Sequence, residues 1–338
     1  MKAMLIRELG AIEAARPALT YTDIPDPVPA EDEILIRVSV CGVCHTELDE
    51  IEGRTPPPHL PVVPGHQVVG TIETGGKIGQ RVGVAWIYSS CGHCTYCRSG
   101  NENLCADFKA TGRDANGGYA QYIKVRVDFA HPIPDGLSDA EAAPLLCAGA
   151  VGFRALKLAN LRDGASLGLF GFGASNHLVL KTALHKYPNS SILVFSRNPQ
   201  ERALALELGA AWAGTMQDIP PEPLEAAIDA TPVWLPIAQA LKHLSPGGRL
   251  VVNAIRKEEI DKDELLKLDF SSQLWLEKEI KSVANVTRQD VREFLRLAAE
   301  AGIRPEVQEY DLKDANRALL EVKQGKIRGA KVLRVPQA

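Results

Sequence analysis

The spacing of apolar residues changes character twice along this chain. In residues 33–44 the run EILIRVSVCGVC alternates apolar, largely β-branched positions with polar ones, the period of a strand with one buried face, and it runs into a loop. Residues 21–32 and 53–66 are rich in proline, which removes ladder donors and pushes the preceding residue towards extended geometry, so both read as irregular connections. The first part is therefore expected to be mainly β, with long loops. Beyond Gly149 short continuous apolar runs (166–170, 191–195, 226–229, 249–253 and 280–285) alternate with helical stretches near 176–186, 199–208 and 233–244. Continuous runs separated by helices indicate a parallel sheet covered on both faces, a doubly wound nucleotide-binding domain over residues 150–285. In the helix expected over 288–301, Val291, Phe294, Leu295 and Ala298 share one face; Thr287 and Asp290 form a capping box and Gly302 ends it. The alternation in PEVQEYDL and the apolar KVLRV then return to the first domain, giving it residues 1–149 and 286–338 in an α/β protein.

A length of 338 residues also favours two domains, and 45% hydrophobic with 24% charged residues is ordinary for a globular chain. A net charge of −4 argues against nucleic acid or an acidic membrane surface as partner. The N-terminus lacks an apolar core with a cleavage site, and no stretch reads as the ~20 apolar residues of a membrane span. A cytoplasmic location, where thiols stay reduced, is expected. No internal repeat or low-complexity tract is seen.

Cysteine spacing adds chemistry. Cys91, Cys94, Cys97 and Cys105 lie in CGHCTYCRSGNENLC, with Gly92, Gly100, Asn101 and Asn103 supplying turns. Zinc accepts four thiolates at tetrahedral corners, so close CxxC steps can close its shell over a small core; the alternative is disulfides or free buried cysteines, and an intracellular chain of this size uses clustered cysteines for metal more often than for cross-links. Such a closed site stabilises and does not react. Cys41, Cys44 and Cys147 remain, and an open metal site needs three ligands; Cys44, His66 and Cys147 are candidates, though singly each also suits a packed interior.

The stretches CGVCHTEL, PVVPGHQVVG, CGHCTYCRSGNENLC, GGYAQYIKV, AAPLLCAGAV and GFGAS, in this order, make the chain resemble the zinc-containing medium-chain alcohol dehydrogenases over essentially its full length. The resemblance implies a GroES-like, mainly-β catalytic domain joined to a doubly wound Rossmann domain. It implies two zinc ions per subunit: a catalytic one on Cys44, His66 and Cys147, and a structural one on the four clustered cysteines, with Cys41 a bystander. Two thiolates and a neutral imidazole leave the metal able to polarise an alcohol oxygen. Thr46 matches the family's proton-accepting hydroxyl, His45 a basic residue near the cofactor pyrophosphate, and Glu47 an acid that supports the metal ligands. Two positions depart from the family. Gln67 replaces the usual Glu beside the ligand histidine and is left as a transient ligand or a hydrogen-bonding neighbour of the ligands; Asp49 replaces a relay histidine, which leaves the proton exit open between Asp49 and solvent.

In LGLFGFGASN the pair Gly171 and Gly173, with Phe172 and Ala174, turns a strand into a helix N-terminus suited to pyrophosphate; Asn176 replaces the third glycine of the fingerprint. An NAD binder ends its second strand with an acid for the ribose hydroxyl, whereas this strand ends Ser196, Arg197, Asn198. Arg197 suits a 2′-phosphate, so NADP(H) is preferred and NAD(H) is the alternative. A family arginine near the C-terminus is here Ala330, which leaves the pyrophosphate to the glycine loop.

Trp86, Ile51 and Ile87 are candidates for the pocket wall; Trp86 there favours slim alcohols, and as core it says nothing of substrate. The expected function is a zinc-dependent alcohol dehydrogenase or aldehyde reductase acting on a primary or small secondary alcohol, in a homo-oligomer, tetramer or dimer. A zinc-free quinone or enoyl reductase on the same fold typically lacks these cysteines, and a non-catalytic zinc- and nucleotide-binding sensor is the alternative of another class.

Overall fold

A computed structural model describes residues 1–325 and 329–337. The chain divides into two compact units, Met1–Cys147 with Val286–Ala338, and Ala148–Asn285.

The first unit is built on a seven-stranded sheet. Its longest strand, Glu33–Val43, alternates half-buried and buried residues as its period dictates, then becomes fully buried from Val40 to Val43. It pairs antiparallel with Val68–Thr74 and Tyr122–Arg126. The C-terminal strand Ala330–Arg334 also pairs with it, Lys331 opposite Val43, and Val307–Asp311 lies parallel on the outer side. The end of the chain thus closes the sheet that its beginning opens. On the far side, Val68–Thr74 pairs with Arg81–Val84, which pairs with Ala130–Pro132.

The helix Arg288–Glu300 packs into this unit through Val291, Phe294, Leu295 and Ala298, all buried. Its capping box is formed as read: Asp290 N–H donates to Thr287 Oγ1 at 3.1 Å and Thr287 N–H to Asp290 Oδ2 at 3.0 Å.

The second unit holds six parallel strands in the order Trp212–Gly214, Ile192–Phe195, Leu167–Phe170, Leu224–Asp229, Leu244–Val252, Glu279–Ser282. Numbered along the chain this is 3-2-1-4-5-6, the order of dinucleotide-binding folds, with the crevice at the ends of its two central strands. Leu167–Phe170 and Ile192–Phe195 are buried at every position, as strands covered on both faces must be. The helices Ala174–Lys186, Pro199–Glu207 and Leu235–His243 fall within a few residues of their expected places.

The helical run Asp139–Ala159 differs from the expectation that nothing here reaches membrane-spanning length. It is long and apolar enough to do so, and 72% of its most apolar window is buried within the protein, as in a core helix. Pro144 and the π-helical turn Leu145–Gly149 interrupt it, and Cys147 sits in that turn.

His131 is fully buried with neither ring nitrogen hydrogen-bonded. Burial, with the charges of Arg292 and Arg288, pushes its pKa down to about 3. The unfolded chain binds a proton that the fold refuses, so stability is full above the ordinary histidine pKa and falls as pH drops towards 3. This group should contribute a loss of ~1.4 kcal/mol per pH unit between about pH 6 and 4.5. His131→Leu should flatten that part of the slope in urea titrations run with zinc present, and an unchanged slope would show that the imidazole is protonated in the folded protein.

Candidate active site

The strand Glu33–Val43 delivers Cys44 to the N-terminus of the short helix His45–Ile51. His66 follows Gly65, whose φ of +97° and position leave no room for a side chain: a Cβ there would lie 2.3 Å from the Tyr119 ring. Cys147 arrives from the π-helical turn. The ligand atoms of Cys44, His66 and Cys147 lie within 4.8 Å of one another, and His66 Nε2 is 3.2 Å from Cys147 Sγ. Tetrahedral zinc would place such a nitrogen and sulfur about 3.5 Å apart, so the donor set and its spacing fit zinc.

Glu47 sets this geometry. Its Oε1 lies 2.6 Å from His66 Nδ1, and its Oε2 accepts the Cys44 N–H at 2.7 Å. One carboxylate therefore aims two of the three ligands and leaves the other imidazole nitrogen towards the sulfurs. Both Glu47 and His66 are fully buried. Burial raises the Glu47 pKa against the pull of His66. For His66 burial works the other way, yet Glu47 and Cys44 outweigh it and hold the ring well above its ordinary value. A hydrogen bond from Cys147 lowers Cys44 well below the usual thiol range, with help from His66; the same bond and burial raise Cys147.

Thr46 Oγ1 is 3.6 Å from Cys44 Sγ, and His45 beside it is exposed. Gln67 is buried with its side chain against Gly42, where a Cβ would come 2.4 Å from Oε1. Asp49 is buried and ion-paired with Arg54. Cys41 is buried outside the ligand cluster. Ile51 and Ile87 are fully buried, and the half-buried Trp86 packs on Phe108 with ring centroids 4.9 Å apart. Glu50 was not singled out by its sequence context. It lies one helical turn from Glu47, fully buried, with neither carboxylate oxygen hydrogen-bonded. Burial, then the charge of Glu47, raises its pKa well above the carboxylate range.

The second cluster brings Cys91, Cys94, Cys97 and Cys105 within 4.8 Å of one another, with Cys91 and Cys97 sulfurs 3.8 Å apart. That equals the edge of about 3.8 Å that a ZnS₄ tetrahedron requires. Backbone N–H groups of Cys91, Cys94 and Cys97 point at sulfurs of the cluster at 3.4–3.5 Å, which favours thiolates.

In the nucleotide-binding unit, Gly171 has φ +76°, and a Cβ on Gly173 would meet nothing within 4 Å, leaving open space at the N-terminus of the helix Ala174–Lys186. Phe172 is buried. Asn176 donates to the carbonyls of Phe170 and Gly171 at 3.1 and 2.8 Å, so the residue that replaces the third glycine ties the loop down. This cradle fits a pyrophosphate. At the end of the next strand Arg197 and Asn198 are exposed, and Asn198 caps the following helix through Gln200 N–H. Ser196 is buried and its hydroxyl donates to Glu201. An acid absent from the strand itself is thus supplied by the first turn of the helix. Asp229 and Lys257 form a further buried pair that the sequence did not announce, with Lys257 also holding the carbonyls of Thr231 and Val233 at 2.8 and 2.9 Å.

Residues 30–135 match the alcohol dehydrogenase GroES-like domain. The chain is 42% identical to the "Probable alcohol dehydrogenase AdhA" of Mycobacterium tuberculosis (strain CDC 1551 / Oshkosh), covering 98% of this chain and 97% of that one. It belongs to the zinc-type medium-chain alcohol dehydrogenase family. An alcohol dehydrogenase of Geobacillus stearothermophilus is 33% identical over 96% of this chain and 99% of its own. Among solved structures, a cinnamyl alcohol dehydrogenase of Sorghum bicolor superposes with a TM-score of 0.83 at 26% identity, covering 98% and 97% of the two chains. The alcohol dehydrogenase of Aeropyrum pernix, at 23% identity and a TM-score of 0.85 over 99% of this chain and 100% of that one, shares the fold.

Glu47→Gln should keep the side chain's shape but turn one of its two acceptor oxygens into an NH2 donor and lose the charge that steadies His66. Zinc held by the cysteine–histidine site should weaken by about ten- to a hundredfold in chelator competition, with the four-cysteine zinc unaffected. Equal loss from both sites would show that Glu47 acts on folding and not on the ligands.

Proposed function

We propose that the chain is a zinc-dependent alcohol dehydrogenase or aldehyde reductase that exchanges a hydride between a primary or small secondary alcohol and NADP(H). The observation that carries this reading is the convergence of Cys44, His66 and Cys147 within 4.8 Å, with the Thr46 hydroxyl beside Cys44. When bound, zinc supplies a Lewis acid for the alcohol or carbonyl oxygen, and the nicotinamide supplies the hydride acceptor or donor.

The chain's own residues do the rest. Glu47 holds His66 and Cys44 in place, so the ligand set needs no rearrangement. Thr46 takes the alcohol proton at Oγ1 in oxidation and returns it in reduction. Asp49 is engaged by Arg54, so the proton leaves Thr46 for solvent beside the exposed His45. Asn176 fixes the glycine loop that would hold the pyrophosphate, and the exposed Arg197 would pair with a ribose 2′-phosphate. Glu201 supports NAD(H) as a second cofactor: its carboxylate, held by Ser196, lies where an acid serves a free ribose hydroxyl and opposes a phosphate.

Cys147→Ala should abolish alcohol oxidation while leaving circular dichroism and the cofactor-binding isotherm unchanged; retained turnover would refute the ligand assignment. Cys97→Ser should instead lower the melting temperature, with turnover per folded molecule retained at low temperature. Arg197→Ala should weaken 2′,5′-ADP at least tenfold and 5′-AMP little, measured calorimetrically. Equal effects on both would leave NADP(H) preference without its residue.

A further inference from the structure

Away from the metal ligands, the helix Arg288–Glu300 carries Arg288, Arg292 and Arg296 at successive four-residue steps. Like charges at that spacing face each other along a helix and destabilise it unless anions intervene. Arg288 is neutralised by Glu102 and Asp128. Arg292 is exposed and reaches only a carbonyl, Asp128 O at 3.1 Å. Arg296 is exposed, and among the described residues no carboxylate pairs with it. The ladder therefore begins with an ion-paired arginine and ends with two that have no carboxylate ion pair among the described residues.

Both unbalanced arginines line a groove of about 640 Å³ contained wholly within the first unit. Its floor is apolar, formed by Ile34, Ile72, Val82 and Ile133, each at least nine-tenths buried. The third charge on its wall is Lys77 in the Val68–Thr74 to Arg81–Val84 connection, exposed and likewise without a carboxylate partner among the described residues. Among the described residues that line this groove there are three cations and no acid, in a protein whose net charge is −4. The volume lies in the range of small-molecule sites.

We propose that this groove binds an amphipathic carboxylate, whose head group pairs with Arg292, Arg296 and Lys77 and whose hydrocarbon part covers the isoleucine and valine floor. Charge complementarity selects the occupant. A bare inorganic anion leaves the floor in water, and an uncharged hydrocarbon leaves the cations unpaired; only a molecule with both parts satisfies both surfaces. The guanidinium forks of two arginines one helical turn apart suit a planar carboxylate better than a lone lysine does.

The test is calorimetric titration of the zinc- and cofactor-loaded enzyme with decanoate below its micelle concentration, alongside decanol. Saturable binding of decanoate is expected, at least tenfold tighter than decanol. Arg296→Glu and, separately, Lys77→Glu should each weaken decanoate tenfold or more while leaving alcohol turnover and decanol binding unchanged. The proposal fails if decanoate does not saturate, if decanol binds equally well, or if neither substitution alters decanoate binding, which would place the ligand in the catalytic pocket. It also fails if Arg296→Glu changes the sedimentation of the unliganded enzyme, because the groove would then be a contact between copies of this chain.

Discussion

The carboxylate of Glu47 is the contact on which the reactive centre rests. It is wholly withdrawn from water, and it touches the backbone of one candidate metal ligand with one oxygen and the ring of another with its second. A buried carboxylate is costly to ionise alone, and a buried imidazole is costly to protonate alone. Placed 2.6 Å apart, the two polar groups meet each other in an interior that water does not reach, and the contact directs Nδ1 of the ring to the carboxylate. Everything nearby is arranged so that this contact can close. Gly65 lets the chain turn into His66 against Tyr119, and the long central strand ends where the short helix must begin, so that Cys44 caps it and Glu47 falls three residues on.

The two candidate metal sites show different ways of supporting cysteine sulfurs. In the four-cysteine lobe the sulfurs receive backbone N–H groups from tight turns, so the local chain supplies both ligands and their support, over a largely exposed surface. In the cysteine–histidine site the ligands come from a strand end, a loop and an irregular helical turn, and the support comes from buried side chains. A site of the first kind needs little from the rest of the fold. A site of the second kind draws on the large sheet, in which the C-terminal strand pairs beside Cys44, with Lys331 opposite Val43.

The cofactor unit shows how a departure from a motif can be absorbed. The Asn176 amide that takes the place of a glycine bonds the two carbonyls of the turn it would otherwise crowd, so the loop gains a tether. Glu201 is the converse case: the strand end lacks an acid in sequence, and the helix start returns one to it in space. In the proposed reading, the choice between ribose hydroxyl and phosphate rests on the balance of Arg197 and Glu201 and not on a single strand-end residue.

Much of this was legible along the chain. Hydrophobic period marked the long strand, the alternating strands and helices of the nucleotide-binding unit, and the amphipathic helix with its Thr287 and Asp290 cap, because those signals are local and repeat within a few residues. Cysteine spacing likewise exposed the four-sulfur lobe. What the chain alone left undecided were relations between distant residues: Glu50 buried beside Glu47 without a hydrogen-bond partner among the described residues, Ser196 given to Glu201, Asp49 taken by Arg54, and the arginine ladder left with one of its three cations ion-paired above an apolar groove. Residue type and order determine which groups are available and which segments they ride on. Whether a carboxylate is solvated, paired or stranded depends on what the folded chain packs against it, and only tertiary structure sets the local dielectric and the distance to the nearest opposite charge.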